Sequence, residues 1–270
     1  MAIYDCFSYW DEDLLLDLRL NILDEHVDYF VIVEGNKTWQ NNSKNLRFNM
    51  ENFSKFKDKI IYIPVTDLPE GDNPYLRENF QRNCILRGLE NANKDDLVII
   101  SDLDEIPNPQ VFKNFKTDMR YAVFKQMHFY YKFNLQSKSN PHWYGSRICL
   151  KKYLKSPQWL RDLKFKKRSW WRFDKKRLNN ILDFGGWHFC NLKNPKELLY
   201  KYKNLCETND PYIFKEKIDT KYLNESVIEN NIAMGKDIIG RNHIYAKIKV
   251  GNNFPKYLIN NKNKYQDWIL

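Results

Sequence analysis

The segment Leu97-Val98-Ile99-Ile100-Ser101-Asp102-Leu103-Asp104-Glu105-Ile106-Pro107 constrains the fold more than any other part of the chain. Its short, β-branched apolar start reads as a buried central strand. The strand stops at three carboxylates within four residues, then at a proline that continues neither a strand nor a helix. So much negative charge at the mouth of an apolar strand is costly unless a cation or a set of donors meets it. Alternation along an extended chain sends Asp102 and Asp104 to one side, with Leu103 turned away. Two hard oxygen ligands facing one point suit Mg2+ or Mn2+, which complete their shells with water and phosphate oxygens. The pattern predicts a nucleotide-diphosphate site; the competing reading is a solvated acidic turn capping a helix.

Around this segment, strands and helices alternate. Strands are predicted at Ile3–Phe7, Tyr29–Glu34, Ile60–Val65 and Leu97–Ser101. Between them, Asp11–Leu23 carries Leu14, Leu15, Leu18 and Ile22 at helical spacing behind an Asp11 N-cap, and Tyr75–Glu90 repeats the pattern with Leu76, Phe80, Cys84, Ile85 and Leu89. This order predicts an α/β fold with a doubly wound, mostly parallel central sheet flanked by helices through about residue 105. Ligands of such sheets lie beyond the carboxyl ends of the strands, where Asp102–Glu105 and Glu34-Gly35-Asn36 both fall. Beyond Pro109 the pattern is less regular. Tyr121–Phe133 and Ser146–Leu150 read as antiparallel strands, Phe184–Phe189 as a short strand, and Pro195–Asn204 and Asn224–Met234 as helices. No repeat or linker divides the 270 residues, so one domain is expected, with a nucleotide-binding half (1–108) and an acceptor-side half (109–270).

The balance of 44 Lys+Arg against 34 Asp+Glu, a net charge of +10, favours an anionic partner without choosing among them. No apolar run reaches the roughly 18–20 residues that span a bilayer, and Met1-Ala2 leads straight into a predicted strand. A cytoplasmic location without signal peptide is therefore expected. Cys6, Cys84, Cys149, Cys190 and Cys206 are odd in number and scattered, which predicts free thiols and no structural zinc site. Lys164–Arg177 interleaves eight basic residues with Phe165, Trp170, Trp171 and Phe173. It reads either as an exposed basic loop or as a peripheral contact with anionic lipid at the inner face of a membrane.

Taken together, several segments resemble glycosyltransferase family 17: Ile3–Phe7 with Asp13–Arg19, Val31–Asn36 with Thr38, Tyr75-Leu76-Arg77 through Gln81-Arg82, Ile99–Pro107, and Gly186-Trp187-His188. The resemblance implies a GT-A-like fold and inverting transfer of a sugar from a nucleotide donor, UDP-GlcNAc, to a glycan or lipid-linked acceptor, helped by Mn2+ or Mg2+. It implies Asp104 as direct metal ligand, Asp102 at the donor ribose or a metal-bound water, and His188 completing the metal shell. Arg77 and Arg82, near the start of a helix, suit diphosphate contacts. Glu34, Asn36 and Thr38 follow the second strand, where a nucleoside pocket is expected, and Trp187 and Trp143 offer flat faces for a sugar. For each of these a structural role in helix face, loop or core is the alternative.

An inverting transferase needs a base for the acceptor hydroxyl. Glu105 and Asp183 are the leading candidates, ahead of Asp162 and Asp174, and none is decisive. Two other classes stay open: a metal-dependent nuclease or phosphohydrolase, which wants two metals and more converging carboxylates, and a non-catalytic glycan- or nucleic-acid-binding module. On the transferase reading no nucleic acid is expected as partner.

Overall fold

The computed structural model describes residues 1–116, 118–164, 180–204, 223–239 and 241–270. Apolar strands lay down a parallel core in which β1 (Ile3–Ser8) pairs with β2 (Tyr29–Gly35) on one side and β4 (Leu97–Asp102) on the other, and β3 (Ile60–Val65) extends beyond β2. Val31, Ile32, Val33, Val98, Ile99 and Ile100 are fully buried, as strands covered on both faces require. The connections are α1 (Asp13–Leu23) and α2 (Pro74–Asn83). α2 starts where Asn73 accepts the backbone N–H of Tyr75 and Pro74 fills the first helical turn. The single helix expected over 75–90 is in fact two pieces. From Cys84 to Leu89 the winding tightens to 3-10, pressing Ile85, Gly88 and Leu89 onto β2 and β3.

After β4 the sheet changes character but does not end. The short β5 (Glu105–Pro107) follows the acidic turn; β6 (Tyr121–Tyr130), β7 (Leu135–Ser137), β8 (His142–Trp143), β9 (Arg147–Leu150), β10 (Asn180–Cys190) and β11 (Tyr245–Lys247) complete the eleven strands among the described residues. β9 runs antiparallel to both β4 and β6, as the segments Tyr121–Phe133 and Ser146–Leu150 suggested. α3 (Pro157–Asp162), α4 (Pro195–Asn204), α5 (Glu225–Ala233) and α6 (Lys256–Asn260) are the later helices. Asn224 caps α5 by accepting the Val227 N–H at 3.0 Å.

β10 departs most from expectation, because it is eleven residues long where six were predicted. Its register against β6 shifts between Leu182 and Gly186, and Phe184 (φ 53°) and Gly186 (φ 129°) take left-handed backbone there. A glycine is required at 186. An added Cβ would sit 2.1 Å from the Ile106 carbonyl oxygen, so the close approach of β10 to β5 depends on its absence. What looks like loop punctuation in the sequence is a bulge that seats one strand on another.

Cys6, Cys84 and Cys149 are buried free thiols and Cys190 is a half-buried one; Cys206 lies outside the described residues. Among the described residues no helix is long and apolar enough to cross a membrane. Of the basic segment Lys164–Arg177, all but Lys164 lies outside them.

Candidate active site

A cleft of about 980 Å³ opens at the carboxyl ends of β1 and β4 and is closed on its far side by residues of β6, β8, β10 and α4. Asp102, Leu103, Asp104 and Glu105 form part of its wall. Asp102 and Asp104, on either side of Leu103, both reach the cleft. Leu103 is buried in the core, Asp102 and Glu105 share Arg161, and Asp104 meets His188.

Asp102 ends β4 between two guanidinium groups: Arg82 Nη2 donates to one oxygen at 3.1 Å and Arg161 Nη2 to the other at 2.8 Å. Burial alone would raise its pKa, but Arg161 and Arg82 outweigh it and hold the carboxyl well below the ordinary 3.8. Glu105 is buried, and both of its oxygens are taken. Trp143 Nε1 donates at 2.6 Å, Arg161 at 2.6 and 3.0 Å, and the Asp102 backbone N–H at 3.1 Å. It therefore ties the Trp143 ring and Arg161 to the acidic turn. Gly145 leaves room for this, since a Cβ there would lie 2.1 Å from Glu105 Oε1. Arg161 comes from α3 and carried no motif in the sequence.

Asp104 faces β10. The β5–β10 ladder pairs Glu105 with His188, and the Phe189 N–H donates to the Asp104 carbonyl at 2.9 Å, so a strand more than 80 residues away in sequence delivers its side chains to the turn. Strand alternation then sorts β10 into two faces. Trp187 and Phe189 enter the core, where Trp187 is 8% exposed and its Nε1 donates to the Asn253 carbonyl at 2.7 Å. His188 and Cys190 face the cleft. Trp187 thus packs in the core and does not line the cleft in which a flat face for a sugar was expected; Trp143, Trp10 and Trp39 do.

His188 Nε2 lies 3.4 Å from Asp104 Oδ1. Burial disfavours the charged imidazole, yet Asp104 prevails and raises His188 well above its ordinary 6.5. His188 in turn, against the effect of burial, lowers the pKa of Asp104. His128 stacks on His188 with centroids 4.7 Å apart and planes 6° from parallel, and burial with this neighbour depresses it to about 3. Asp104, His188 and Cys190 each offer an atom within 4.8 Å of the others. His188 Nδ1 is buried with no hydrogen-bond partner among the described residues. One carboxylate oxygen, one imidazole nitrogen and one sulfur fit a divalent transition ion; Mg2+, which prefers all-oxygen shells, is the poorer match.

The remaining predicted residues build the cleft's edge from behind. Glu34 is fully buried and accepts from Lys44 (2.6 Å), the N–H groups of Arg47 (2.8 Å) and Phe48 (3.0 Å), and Tyr62 (2.9 Å). The Asn36 carbonyl accepts the Lys44 N–H, and Thr38 Oγ1 accepts the Asn42 N–H at 3.1 Å. Arg77 is buried and donates to the carbonyls of Trp39 and Gly71. Together these four residues fix the loop over residues 36–48, which presents Trp39. The Trp39 ring meets Trp10 at 5.7 Å, and Lys44 stands 5.4 Å over Trp10. Asp183 is apart from the cleft, with a side chain 63% exposed and paired to Lys125 at 3.0 Å.

Several cleft residues had no signal in the sequence. Lys193 pairs with Asp11 and lies 3.9 Å from Glu12. Lys201 of α4 has its pKa raised by Glu12 and Asp104 despite burial, and Arg241 pairs with buried Asp237 at 2.7 Å. These cations line the same cavity as Asp104. Only the three-dimensional assembly brings α4 and the segment before β11 to the strand ends.

A cleft at the carboxyl ends of parallel strands, with an acid–imidazole cluster among fixed cations, is where a fold of this kind places an active site. The chain matches the Glycosyltransferase family 17 profile over residues 2–269 and belongs to that family. It is also similar to beta-1,4-mannosyl-glycoprotein 4-beta-N-acetylglucosaminyltransferase from Homo sapiens and Rattus norvegicus, at 34% identity over 104 residues in each case, and from Mus musculus at 33%. Those matches take in 34% of this chain and 19% of each relative. The chain therefore spans about a fifth of the length of the relatives it matches.

Proposed function

We propose that this cleft transfers a sugar, with inversion, from a nucleotide-sugar donor to a hydroxyl of a glycan or lipid-linked acceptor, in a GT-A-like arrangement. UDP-GlcNAc is the proposed donor, in keeping with the N-acetylglucosaminyltransferase names of the relatives. The observation that carries the reading is the meeting of Asp104 and His188 at the end of β4, inside a cleft lined by Arg82, Arg161, Lys193 and Lys201. Asp104 and His188 would hold a divalent ion, Mn2+ among those expected, and its charge would offset the negative charge that builds on a departing nucleoside diphosphate. The protein's own cations add to this. Lys193 and Lys201 reach toward the same space, and the two arginines keep Asp102 ionised and fixed. Trp39 and Trp10 offer faces on which a base or sugar stacks.

Glu105, with four donors on its two oxygens, serves here to position Arg161 and Trp143. Proton acceptance falls to Asp11 at the mouth of β1, whose pKa is raised by burial and by Glu12, as a general base requires. Asp11→Asn should lower kcat about 10²–10⁴-fold with a smaller change in KM. A kcat within a factor of two or so of wild type would remove Asp11 from that role.

The reading as a whole is tested by UDP release from UDP-GlcNAc, with and without acceptor glycan. Release should stop in EDTA and return with Mn2+. Hydrolysis of phosphoesters or nucleic acid without a sugar donor would favour the phosphohydrolase class instead.

A further inference from the structure

The geometry points to Cys190 as a third ligand of the divalent ion, through its thiolate, so that this cleft selects borderline transition ions over Mg2+. The inference rests on the proposed metal role of Asp104 and His188 and extends it to a residue and an ion preference. Cys190 is two positions beyond His188 on β10, and strand alternation aims both at the Asp104 turn. The bulge at Gly186 sets the register, and the β5–β10 ladder holds His188 opposite Glu105. As a result an oxygen, a nitrogen and a sulfur fall within 4.8 Å of one another. Cys190 is half-buried and open to the cleft, unlike Cys6, Cys84 and Cys149, which are sealed in the core. His188 Nδ1, buried with no hydrogen-bond partner among the described residues, belongs to the same cluster.

The chemistry follows from the donor set. A thiolate is a soft ligand that Mg2+ rejects and that Zn2+ and Co2+ accept readily. On binding, the sulfur–metal bond forms and the thiol proton passes to solvent. Lys193, Arg161 and Arg82 keep the surrounding cleft cationic, so a ligand bearing negative charge on sulfur offsets part of the cost of admitting a metal ion there.

The test uses the metal alone and needs no turnover. The intact chain, freed of metal, is titrated with Co2+, and absorbance is followed for a near-ultraviolet thiolate-to-cobalt charge-transfer band, with affinity measured by calorimetry. Wild type should show the band with one ion bound. Cys190→Ser should lose it and bind Co2+ and Zn2+ about 10–100-fold more weakly, the range for losing a partner of a metal site. Mg2+ binding should not change. Cys206→Ser should keep the band. Cys190→Ala guards against a serine oxygen standing in as ligand, and circular dichroism checks that each variant folds. Co2+ binding by wild type without the band, or a band that survives in both Cys190 variants, overturns the role of Cys190 while leaving Asp104 and His188 as ligands. No Co2+, Zn2+ or Mn2+ binding by wild type overturns the metal reading itself.

Discussion

Asp104→Ala should reduce UDP release from UDP-GlcNAc by at least about 10²–10³-fold, the usual loss when one preorganised electrostatic contact to developing charge is removed. The effect is expected mainly in kcat, because the contact strengthens as the leaving group gains charge. Asp104 is the carboxylate that His188 and Cys190 both approach, and the other two acids of the turn are engaged elsewhere. Asp102 has each oxygen on an arginine, and Glu105 has four donors. The substitution should leave far-ultraviolet circular dichroism unchanged, since the turn's backbone is held by Arg19 and by the Phe189 N–H and not by the Asp104 side chain. Unaltered kcat in Asp104→Ala would contradict the proposed site.

The largest expected effect on stability lies beneath that turn. Arg19 of α1 is completely buried and forms a two-pronged pair with Asp5 of β1 at 2.6 and 2.7 Å. Its Nη1 donates to the carbonyls of Asp102, Leu103 and Glu105 at 3.0–3.1 Å, and its guanidinium lies 4.5 Å from the centre of the Phe7 ring. One side chain thus joins the first strand, the first helix and the acidic turn. Arg19→Met leaves the Asp5 charge buried without its partner and takes a donor from three carbonyls, of which that of Glu105 keeps Ser146 Oγ, which should cost about 3–5 kcal/mol. Urea unfolding should show a lower midpoint with an unchanged slope. Asp5→Leu combined with Arg19→Met should recover much of the loss, because an apolar pair of similar volume removes the stranded charge. A loss below about 1 kcal/mol for the single variant, the scale of an exposed pair, would contradict this account.

The parallel half of the fold was legible because its signals are local. Apolar β-branched runs and helical spacing within a dozen residues marked β1 to β4, α1 and the start of α2. The acidic turn was legible for the same reason. The partners of its side chains were not, because Arg82, Arg161 and His188 come from elements distant in sequence. Glu34, Asn36 and Thr38 follow the second strand and Arg77 lies in α2, yet the side chains of Glu34, Thr38 and Arg77 bind backbone groups of the loop over residues 36–48, which Asn36 joins through its own backbone carbonyl. Sequence marks such residues as polar near a strand end; it does not tell which way they point. Arg161, Lys193 and Lys201 reach the cleft only through long-range packing, and nothing local announces it. Cys190 could have been found, since it shares a strand face with His188, whereas Trp187 shares one with Phe189.

The direct test of the central claim is binding of Mn2+ in the presence of UDP, followed by the loss of the free-ion signal in electron paramagnetic resonance. Wild type should take up one Mn2+, more tightly with UDP than without, because diphosphate oxygens complete the shell around Asp104. Asp104→Ala should take up none under the same conditions. Equal uptake by the two proteins, or uptake by wild type that UDP leaves unchanged, would contradict a nucleotide-diphosphate site at the end of β4.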